Sequence, residues 1–284
     1  MPDQDLKQSN RRKALFHFKQ SNRANRGGDR AFPEFEIVLQ PIVDLEKENV
    51  FAYEALCRGV GGKSYPNLVE GMDPSRQRLF DKLAVAKALR HAAKLRLEGT
   101  GAKISLNIGP MAGADANYVQ RVARHYGIKS TSIVLELTEG VRMNCPDLSR
   151  IIRGYREAGV MVAIDDFGAG YAGLNTLATC TPDVLKIDRE LIKGIEFSKA
   201  KKTIVGAFAD VCRRLAVRIV AEGVETIAEC RTLRRFGISL MQGHLFAHPA
   251  ACGMPSVSFP SKPRRRLPRV SREDREWLRR ALRQ

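Results

Sequence analysis

The sequence of 284 residues lacks the features of a membrane-spanning, secreted or zinc-binding protein. No apolar run approaches the ~20 residues that span a bilayer, and the N-terminus has no apolar signal region. The six cysteines are scattered and none forms a Cys-x-x-Cys pair, so neither a zinc site nor a disulfide framework is expected. We therefore expect a cytoplasmic protein with reduced thiols.

The formal net charge of +17 is concentrated at the two ends of the chain. Residues 1–30 contain eight Lys or Arg and three acids, and residues 261–284 contain ten and three, so these ends carry 12 of the 17 charges. The composition predicts a disordered basic tail over 1–30 and a Pro- and Arg-rich basic tail over 255–284 with a short helix. Such tails suit an anionic partner (nucleic acid, membrane surface or acidic protein), or they are only solubilising segments.

Between the tails, apolar β-branched segments alternate with segments of helical spacing, and 44% hydrophobic residues allow a sizeable core. The turn between the first two strands is too short for a crossover helix, which predicts an antiparallel pair. We expect a modified TIM (β/α)8 barrel over residues 31–254 with its first strand antiparallel. The predicted strands cover 36–43, 50–56, 103–108, 132–138, 160–165, 184–187, 218–221 and 240–246, and the predicted helices cover 76–97, 116–126, 146–158, 171–178, 198–216 and 226–236.

The fifth predicted strand ends in two adjacent carboxylates, Asp165 and Asp166, which a Phe and a Gly-Ala-Gly turn follow. Two like charges at the end of a buried strand are costly unless a cation lies between them; the alternative is that Asp166 caps the next helix. The glycines also match the dinucleotide-binding fingerprint. That fingerprint presents bare N–H groups to a pyrophosphate, which these carboxylates would repel. The stretch therefore favours a cation site.

Polar side chains lie near the carboxyl ends of seven successive predicted strands, where a barrel places its active site. They are Glu54 and Arg58, Asn107, Glu136 and Glu139, Asp165 and Asp166, Lys186 and Asp188, Glu222 and Glu225, and Gln242. Oxygen ligands without His or Cys suit Mg²⁺ or Mn²⁺. Their number predicts two ions that clamp the oxygens of a phosphoryl displacement. With Lys186 to hold the water and Arg58 to bind a phosphate oxygen, the chemistry is phosphoester hydrolysis.

These motifs resemble those of the EAL domain family, the cyclic di-GMP phosphodiesterases. Glu54-Ala55-Leu56-Cys57-Arg58 looks like the name-giving motif, and the other matches follow in order over about residues 34–250. They are Gln40-Pro41-Ile42-Val43, Asn107, Glu136-Leu137-Thr138-Glu139, Asp165-Asp166-Phe167-Gly168, Lys186-Ile187-Asp188, Glu222-Gly223-Val224-Glu225 and Gln242-Gly243. The resemblance implies a bacterial signalling enzyme that hydrolyses cyclic di-GMP to linear pGpG.

The resemblance also implies a role for each matching residue. One metal ion would be held by Glu54, Asn107, Glu136 and Asp165, and the second by Asp165, Asp166 and Glu222. The catalytic residues would be Lys186, Glu222, Glu54 and Asp166, with Lys186 acting on the water and Glu222 also serving as a base. The nucleotide would contact Gln40, Leu56, Arg58, Asp188 and Gln242. Glu139 would anchor the loop after Asp166, and Glu225 would support the site.

Two further expectations follow from the resemblance. Family members usually form homodimers through the helices near strands five and six, so a homodimer is expected. The sequence departs from the family at Tyr171-Ala172-Gly173-Leu174, where Tyr-Ser-Ser-Leu is usual, and this puts the rate in doubt. The alternative function is a catalytically weak or inactive module that binds cyclic di-GMP, a protein or a nucleic acid as a regulator. Inactive members lose metal ligands, and none is lost here.

Overall fold

Eight strands close into a barrel in the order of the sequence. The computed structural model describes residues 31–108, 116–138, 145–168, 177–178 and 181–260. The strands are β1 (Phe35–Asp44), β2 (Asn49–Gly59), β3 (Lys103–Ile108), β4 (Ile133–Thr138), β5 (Met161–Phe167), β6 (Val184–Ile187), β7 (Arg218–Ala221) and β8 (Leu240–Met241). β1 is antiparallel to both β2 and β8, and all other pairs are parallel. The predicted fold, including its antiparallel first strand, is confirmed.

Helices connect the parallel strands around the outside of the barrel. They are α1 (Tyr65–Val69), α2 (Pro74–Lys94), α3 (Ala116–Tyr126), α4 (Cys145–Glu157), α5 (Arg189–Ile192), α6 (Lys199–Arg214) and α7 (Ile227–Arg235). Short 3-10 turns cover Val60–Gly62, Leu97–Thr100 and Ser130–Ser132. Asp73 caps α2 by accepting two backbone N–H bonds, and Thr226 and Glu229 form a capping box on α7. Across the described part of the chain, every helix is too short or too polar to cross a membrane.

The barrel interior is built in layers, because alternate residues of a strand point to the same side. One layer, which we call the floor layer, is apolar and consists of Ile42, Ala52, Val134, Ala163, Val184, Val220 and Leu240. A polar residue lies two positions away from each residue of the floor layer. In the parallel strands it lies toward the carboxyl end, and in β1 it lies two positions earlier in the sequence. This mouth layer consists of Gln40, Glu54, Glu136, Asp165, Lys186, Glu222 and Gln242. A single step of the strand period thus separates an apolar layer from a polar one.

The outer faces of the strands pack against the helices and form the main core. Phe80 of α2 and Tyr155 of α4 are fully buried there, as is Leu185 of β6. Burial of each such side chain contributes roughly 1.5–3 kcal/mol. This shell holds the strands in register and therefore fixes the positions of the side chains in the mouth layer.

Two predicted elements end three or more residues earlier in the structure than expected. The predicted strand 240–246 ends at Met241, because the chain then packs closely on the loop after β7: a Cβ on Gly243 would lie 2.0 Å from the carbonyl oxygen of Val224. The predicted helix 76–97 ends at Lys94, because Arg96 adopts a left-handed conformation with φ 53°. The tail 1–30, residues 261–284 of the second tail, and the predicted helix 171–178 apart from its last two residues lie outside the described residues. The predicted boundaries of the barrel at 31–254 stay a prediction.

Candidate active site

Asp165 and Asp166 reach the same site because β5 is irregular at this point. Successive residues of a regular strand point to opposite faces. The pairing of β5 with β6 shifts register between Ile164 and Phe167, and Asp166 has a positive φ of 55°. A bulge of this kind redirects a side chain, and both carboxylates lie close to Glu222. Burial, and then the neighbouring Asp165, raise the pKa of Asp166 to about 6.

Lys186 lies at the centre of the mouth layer and is only 1% exposed. Its Nζ is 2.6 Å from Glu222 Oε1, 2.8 Å from Glu136 Oε2, 2.9 Å from Asp165 Oδ1 and 3.7 Å from Glu54 Oε2. One ammonium group therefore faces four carboxylates. The cluster has an excess of negative charge that Lys186 alone does not balance.

Hydrogen bonds fix the orientation of two of these carboxylates. Asn107 Nδ2 donates to Glu54 Oε1 at 2.8 Å, and Gln242 Nε2 donates to Glu54 Oε2 at 2.7 Å. Ser105 Oγ donates to Glu136 Oε1 at 2.6 Å. Sequence reasoning gave Ser105 no role, although its position two residues before Asn107 on β3 already indicates the same inward face.

The pKa values reflect this crowding of charge. Burial raises the pKa of Glu222 to about 8, and burial followed by the charge of Glu54 raises that of Glu136 well above its usual value. Burial also disfavours the charged form of Glu54, yet Lys186 and the two amide hydrogen bonds together hold its pKa below the usual value. Burial opposes the charge on Lys186, but the carboxylates, Asp165 first, raise its pKa well above normal. Additional positive charge would relieve the strain on these acids.

The described acids form two groups that fit a pair of divalent cations. Glu54, Glu136 and Asp165 present carboxylate oxygens within 4.8 Å of one another, and so do Asp165, Asp166 and Glu222. Asp165 belongs to both groups, and its buried Oδ1 lies near Lys186 without hydrogen-bond geometry. Oxygen donors alone, in this number, suit Mg²⁺ or Mn²⁺. The residues present therefore fit the predicted two-ion site.

Two cavities open from the cluster. One has a volume of about 510 Å³ and extends past Arg58 toward α1 and α2. The other has a volume of about 330 Å³ and extends past Gln40 and Gln242 toward the loops after β7 and β8. Leu56 lines both cavities, as do Glu54, Asp165 and Asp166. A ligand with two similar halves could place one in each cavity with its linkage over the carboxylates.

The EAL domain family model matches residues 29–249. This chain belongs to the EAL domain family. The predicted resemblance is thereby confirmed over most of the chain.

Relatives within the family differ in what their names state. BluF of Escherichia coli K12, a blue light- and temperature-regulated antirepressor, is 30% identical over 79% of this chain and 56% of its own length. PdeN of the same organism, a probable cyclic di-GMP phosphodiesterase, is 31% identical over 76% of this chain and 43% of its own. The Klebsiella pneumoniae BlrP1 manganese/cy-diGMP complex at pH 6 is 32% identical with a TM-score of 0.75, covering 81% of this chain and 59% of that one. The chain thus spans about half the length of these relatives.

The larger cavity of this EAL domain contains a buried acid that sequence reasoning missed. Asp81 of α2 lines the cavity and is buried, and its Oδ2 accepts no hydrogen bond from the described residues. Its Oδ1 accepts a hydrogen bond of 2.5 Å from the hydroxyl of Tyr65, which in turn accepts one from Gln77 Nε2 at 3.2 Å. Burial raises the pKa of Asp81. The helical pattern around Asp81 gave no sign of this role, because its partner Tyr65 lies in another helix.

A set of contacts at the rim holds the loop that carries Glu222. Arg189 Nη2 lies 2.8 Å from Glu225 Oε1, and the stem of Arg189 crosses directly over Gly223. A Cβ on Gly223 would lie 2.4 Å from Arg189 Cγ, and Gly223 also has a positive φ of 62°, so only glycine fits. His244 lies 3.9 Å from Glu225 on the other side. Sequence reasoning placed Glu225 in a supporting position but missed Arg189 and His244.

The remaining predicted residues are less central. Asp188 lines neither cavity; its side chain caps α5 by accepting the N–H of Glu190 at 2.8 Å. Arg58 lines the larger cavity and donates to the carbonyl of Cys57. Gln40 lies beside Gln242, whose Nε2 donates to its Oε1 at 3.2 Å. Glu139 and the segment 171–174 lie outside the described residues.

Proposed function

We propose that this EAL domain is a cytoplasmic, metal-dependent phosphodiesterase that hydrolyses cyclic di-GMP to linear pGpG. One observation carries the proposal: two sets of three acids lie around the ammonium of Lys186, and Asp165 belongs to both sets. The name of PdeN and the manganese/cy-diGMP complex of BlrP1 support the same activity. Every residue that the family resemblance predicts to be catalytic, Lys186, Glu222, Glu54 and Asp166, lies in or beside this cluster.

Two Mg²⁺ or Mn²⁺ ions, when bound, would polarise the scissile phosphodiester and lower the pKa of the attacking water. Glu54, Asn107, Glu136 and Asp165 would hold one ion, and Asp165, Asp166 and Glu222 would hold the other. Asn107 would present its carboxamide oxygen after release of its hydrogen bond to Glu54. The hydrogen bond from Ser105 keeps Glu136 oriented for this task.

The protein groups then direct the water and its protons. Lys186 orients the water and stabilises negative charge on the phosphoryl oxygens. Glu222 accepts a proton as the water oxygen bonds to phosphorus and the bond from phosphorus to O3′ breaks. The proton that Glu222 takes from the water is then passed to the departing O3′, so that the product carries one new 5′-phosphate and one new 3′-hydroxyl and Glu222 returns to its starting state. Glu54 and Asp166 would act through their negative charge, since each would help to hold one of the two ions beside the scissile phosphate.

The two cavities support a substrate with two guanosine halves. Arg58 would bind a phosphate oxygen at the entrance of the larger cavity, and Leu56 would separate the two halves. Asp81 lines this cavity, and its buried Oδ2, which accepts no hydrogen bond from the described residues, would accept one from an N–H donor of guanine after the side chain turns toward the ligand. Gln40 and Gln242 would contact the half in the smaller cavity. Asp188, which lines neither cavity, would contribute only through its charge near Asp166.

The name of BluF favours a second candidate function, a regulator that binds a partner rather than turning over substrate. The two candidates differ in whether binding of cyclic di-GMP leads to hydrolysis. Because the described acids form two groups that fit metal ions, the enzyme is the first choice. Tight binding of cyclic di-GMP with Mn²⁺ present and no pGpG formed would favour the regulator.

The test is an assay of the purified full chain with cyclic di-GMP, read as pGpG by chromatography. We expect turnover with Mg²⁺ or Mn²⁺, loss of turnover after exhaustive chelation, and recovery when the ion is returned. Lys186→Gln should abolish turnover, whereas Lys193→Gln, which removes an exposed charge, should not. Full activity in the chelated protein would contradict the proposed metal dependence.

The proposal includes a homodimer and an anionic partner of the tails. Phe197 is 87% exposed and Ile204 is 43% exposed on the segment that follows β6, where an apolar contact with a second copy would cover them. Light scattering of the wild type and of Phe197→Glu tests this, and a wild type that is monomeric at micromolar concentration would contradict it.

For the tails, retention on heparin tests whether the clustered Arg and Lys bind polyanions.

A further inference from the structure

Five arginines lie together at the end of the barrel opposite the mouth. Helices α6 and α7 run from the mouth end back to the starts of β7 and β8, so their last turns lie at the floor end. The two helices are neighbours, because Gly206 of α6 packs against the ring of Phe236 after α7. The last turn of α6 carries Arg213 and Arg214, and the last turn of α7 carries Arg234 and Arg235. Arg231 is exposed one turn earlier on α7. We call this set the arginine cluster.

The charges of the arginine cluster are largely uncompensated. Arg213 pairs with Asp210 at 2.7 Å, and both side chains are well exposed, so the pair contributes little. Within the described part of the chain, the other four form no ion pair. Uncompensated charges of one sign on neighbouring helix ends repel one another, and an anionic partner would relieve that repulsion. All five are arginine rather than lysine, and the guanidinium group is well suited to bidentate contact with phosphate.

Apolar side chains accompany the arginines. Val211 is 37% exposed and Leu215, the residue that ends α6, is 42% exposed. Basic groups beside exposed aliphatic groups are typical of a surface that rests on anionic lipid headgroups and inserts shallowly. Nucleic-acid phosphates would also accept contacts from these guanidinium groups, but the exposed aliphatic side chains beside them would gain little from a phosphate backbone.

We propose that the arginine cluster, with Val211 and Leu215, docks this protein on an anionic membrane surface. Docking at the floor end leaves the mouth of the barrel facing away from the lipid, where a water-soluble substrate can enter. The proposal concerns peripheral contact only and does not depend on hydrolysis of any substrate. The basic tails remain present in every comparison below, so they cannot account for differences between variants.

The experiment measures binding of the full chain to vesicles that contain phosphatidylglycerol, with phosphatidylcholine vesicles as the neutral surface. The first variant changes Arg214, Arg231, Arg234 and Arg235 to Gln. A matched control changes four basic residues toward the mouth end of the barrel, Lys63, Arg78, Lys193 and Lys199, to Gln. Each basic residue at a lipid surface contributes about fivefold in affinity, so we expect the first variant to bind at least about tenfold more weakly. The control should lose much less.

The aliphatic part of the surface separates lipid from nucleic acid. Leu215→Ser should weaken vesicle binding by about threefold, through loss of apolar contact, and should leave retention on double-stranded DNA unchanged. Circular dichroism of each variant checks that the fold is kept. Equal losses in the arginine variant and its control would overturn the proposal, because binding would then follow net charge alone. So would unchanged vesicle binding of Leu215→Ser, since the cluster would then be a general polyanion surface.

Discussion

The mouth layer and the floor layer of the barrel lie two residues apart on the same strands and have opposite physical character. The floor layer is apolar and buried, and contributes to stability through packing. The mouth layer collects four carboxylates around one ammonium, which raises the pKa of Glu136 and Glu222 and disfavours the folded state without added cations. The floor layer therefore contributes mainly to stability, and the mouth layer is suited to chemistry. Substitutions in one layer should affect stability and substitutions in the other should affect activity.

The largest expected effect is on catalysis at the mouth. Glu54→Ala removes a predicted metal ligand that also accepts hydrogen bonds from Asn107 and Gln242. We expect kcat/KM to fall on the order of a thousandfold, measured as pGpG formation. Asp210→Ala at the floor end serves as the control and should change activity by no more than about twofold. Near-normal turnover of Glu54→Ala would place the site elsewhere.

The reciprocal change at the floor should affect stability rather than chemistry. Leu240→Ala removes buried methyl groups from the floor layer and should lower the free energy of unfolding by about 3 kcal/mol. Urea unfolding measures this loss, while kcat of the folded variant should stay close to that of the wild type. A variant that loses activity but keeps its stability would contradict the division between the layers.

The pH dependence of stability should reveal the strain in the mouth layer. Because the pKa of Glu222 is raised from 4.5 to about 8 in the folded protein, the folded state binds this proton more tightly than the unfolded state. The stabilisation is fully present below pH 4.5 and is lost as pH rises to about 8. For the metal-free protein we expect the free energy of unfolding, measured with urea, to fall over this pH range. Glu222→Gln should flatten this slope, and an equally steep slope would refute the assignment to Glu222.

A smaller effect is expected at the rim. Arg189→Ala releases Glu225 and uncovers Gly223, so the loop that carries Glu222 should lose its fixed position. Misplaced catalytic groups reduce rates steeply, and we expect kcat/KM to fall about tenfold. The concentration of Mn²⁺ needed for half-maximal activity should rise as well, which a purely substrate-binding role for Arg189 would not produce. Glu225→Gln should give the same pattern, and unequal patterns would break the proposed pairing.

The smallest effect on catalysis is expected from the tails. A shortened chain of residues 31–260 should keep kcat within about threefold, because screening over ~8 Å weakens the field of charges carried by residues outside the barrel. Retention on heparin should fall, since the tails carry most of the net charge. Equal retention of both chains would remove the tails as a polyanion site. A collapse of kcat in a folded short chain would show that a tail contacts the barrel.

The sequence predicts the layers well and the local irregularities poorly. Strand period and apolar patterning were sufficient to place Glu54, Glu136 and Lys186 at one end of a barrel, because these signals are local and repeat on every strand. The bulge at Asp166 was not predictable, since it depends on how β5 meets β6. The contact of Tyr65 with Asp81 and that of Arg189 with Gly223 join segments distant in sequence or in different elements. Such tertiary contacts produce no periodic pattern in the sequence, so they cannot be read from it.

The antiparallel course of β1 decides at which end the chain enters the barrel. In an all-parallel barrel the first strand would start at the floor, far from the site. Here β1 starts at the mouth end, and just before it the carbonyl of Ala31 accepts a hydrogen bond from Arg76 in the first turn of α2. The chain before residue 31 therefore joins the barrel at the end that carries the carboxylate cluster. A contact made by that segment would act on the barrel from the mouth end, whereas a membrane contact at the floor would act from the opposite end.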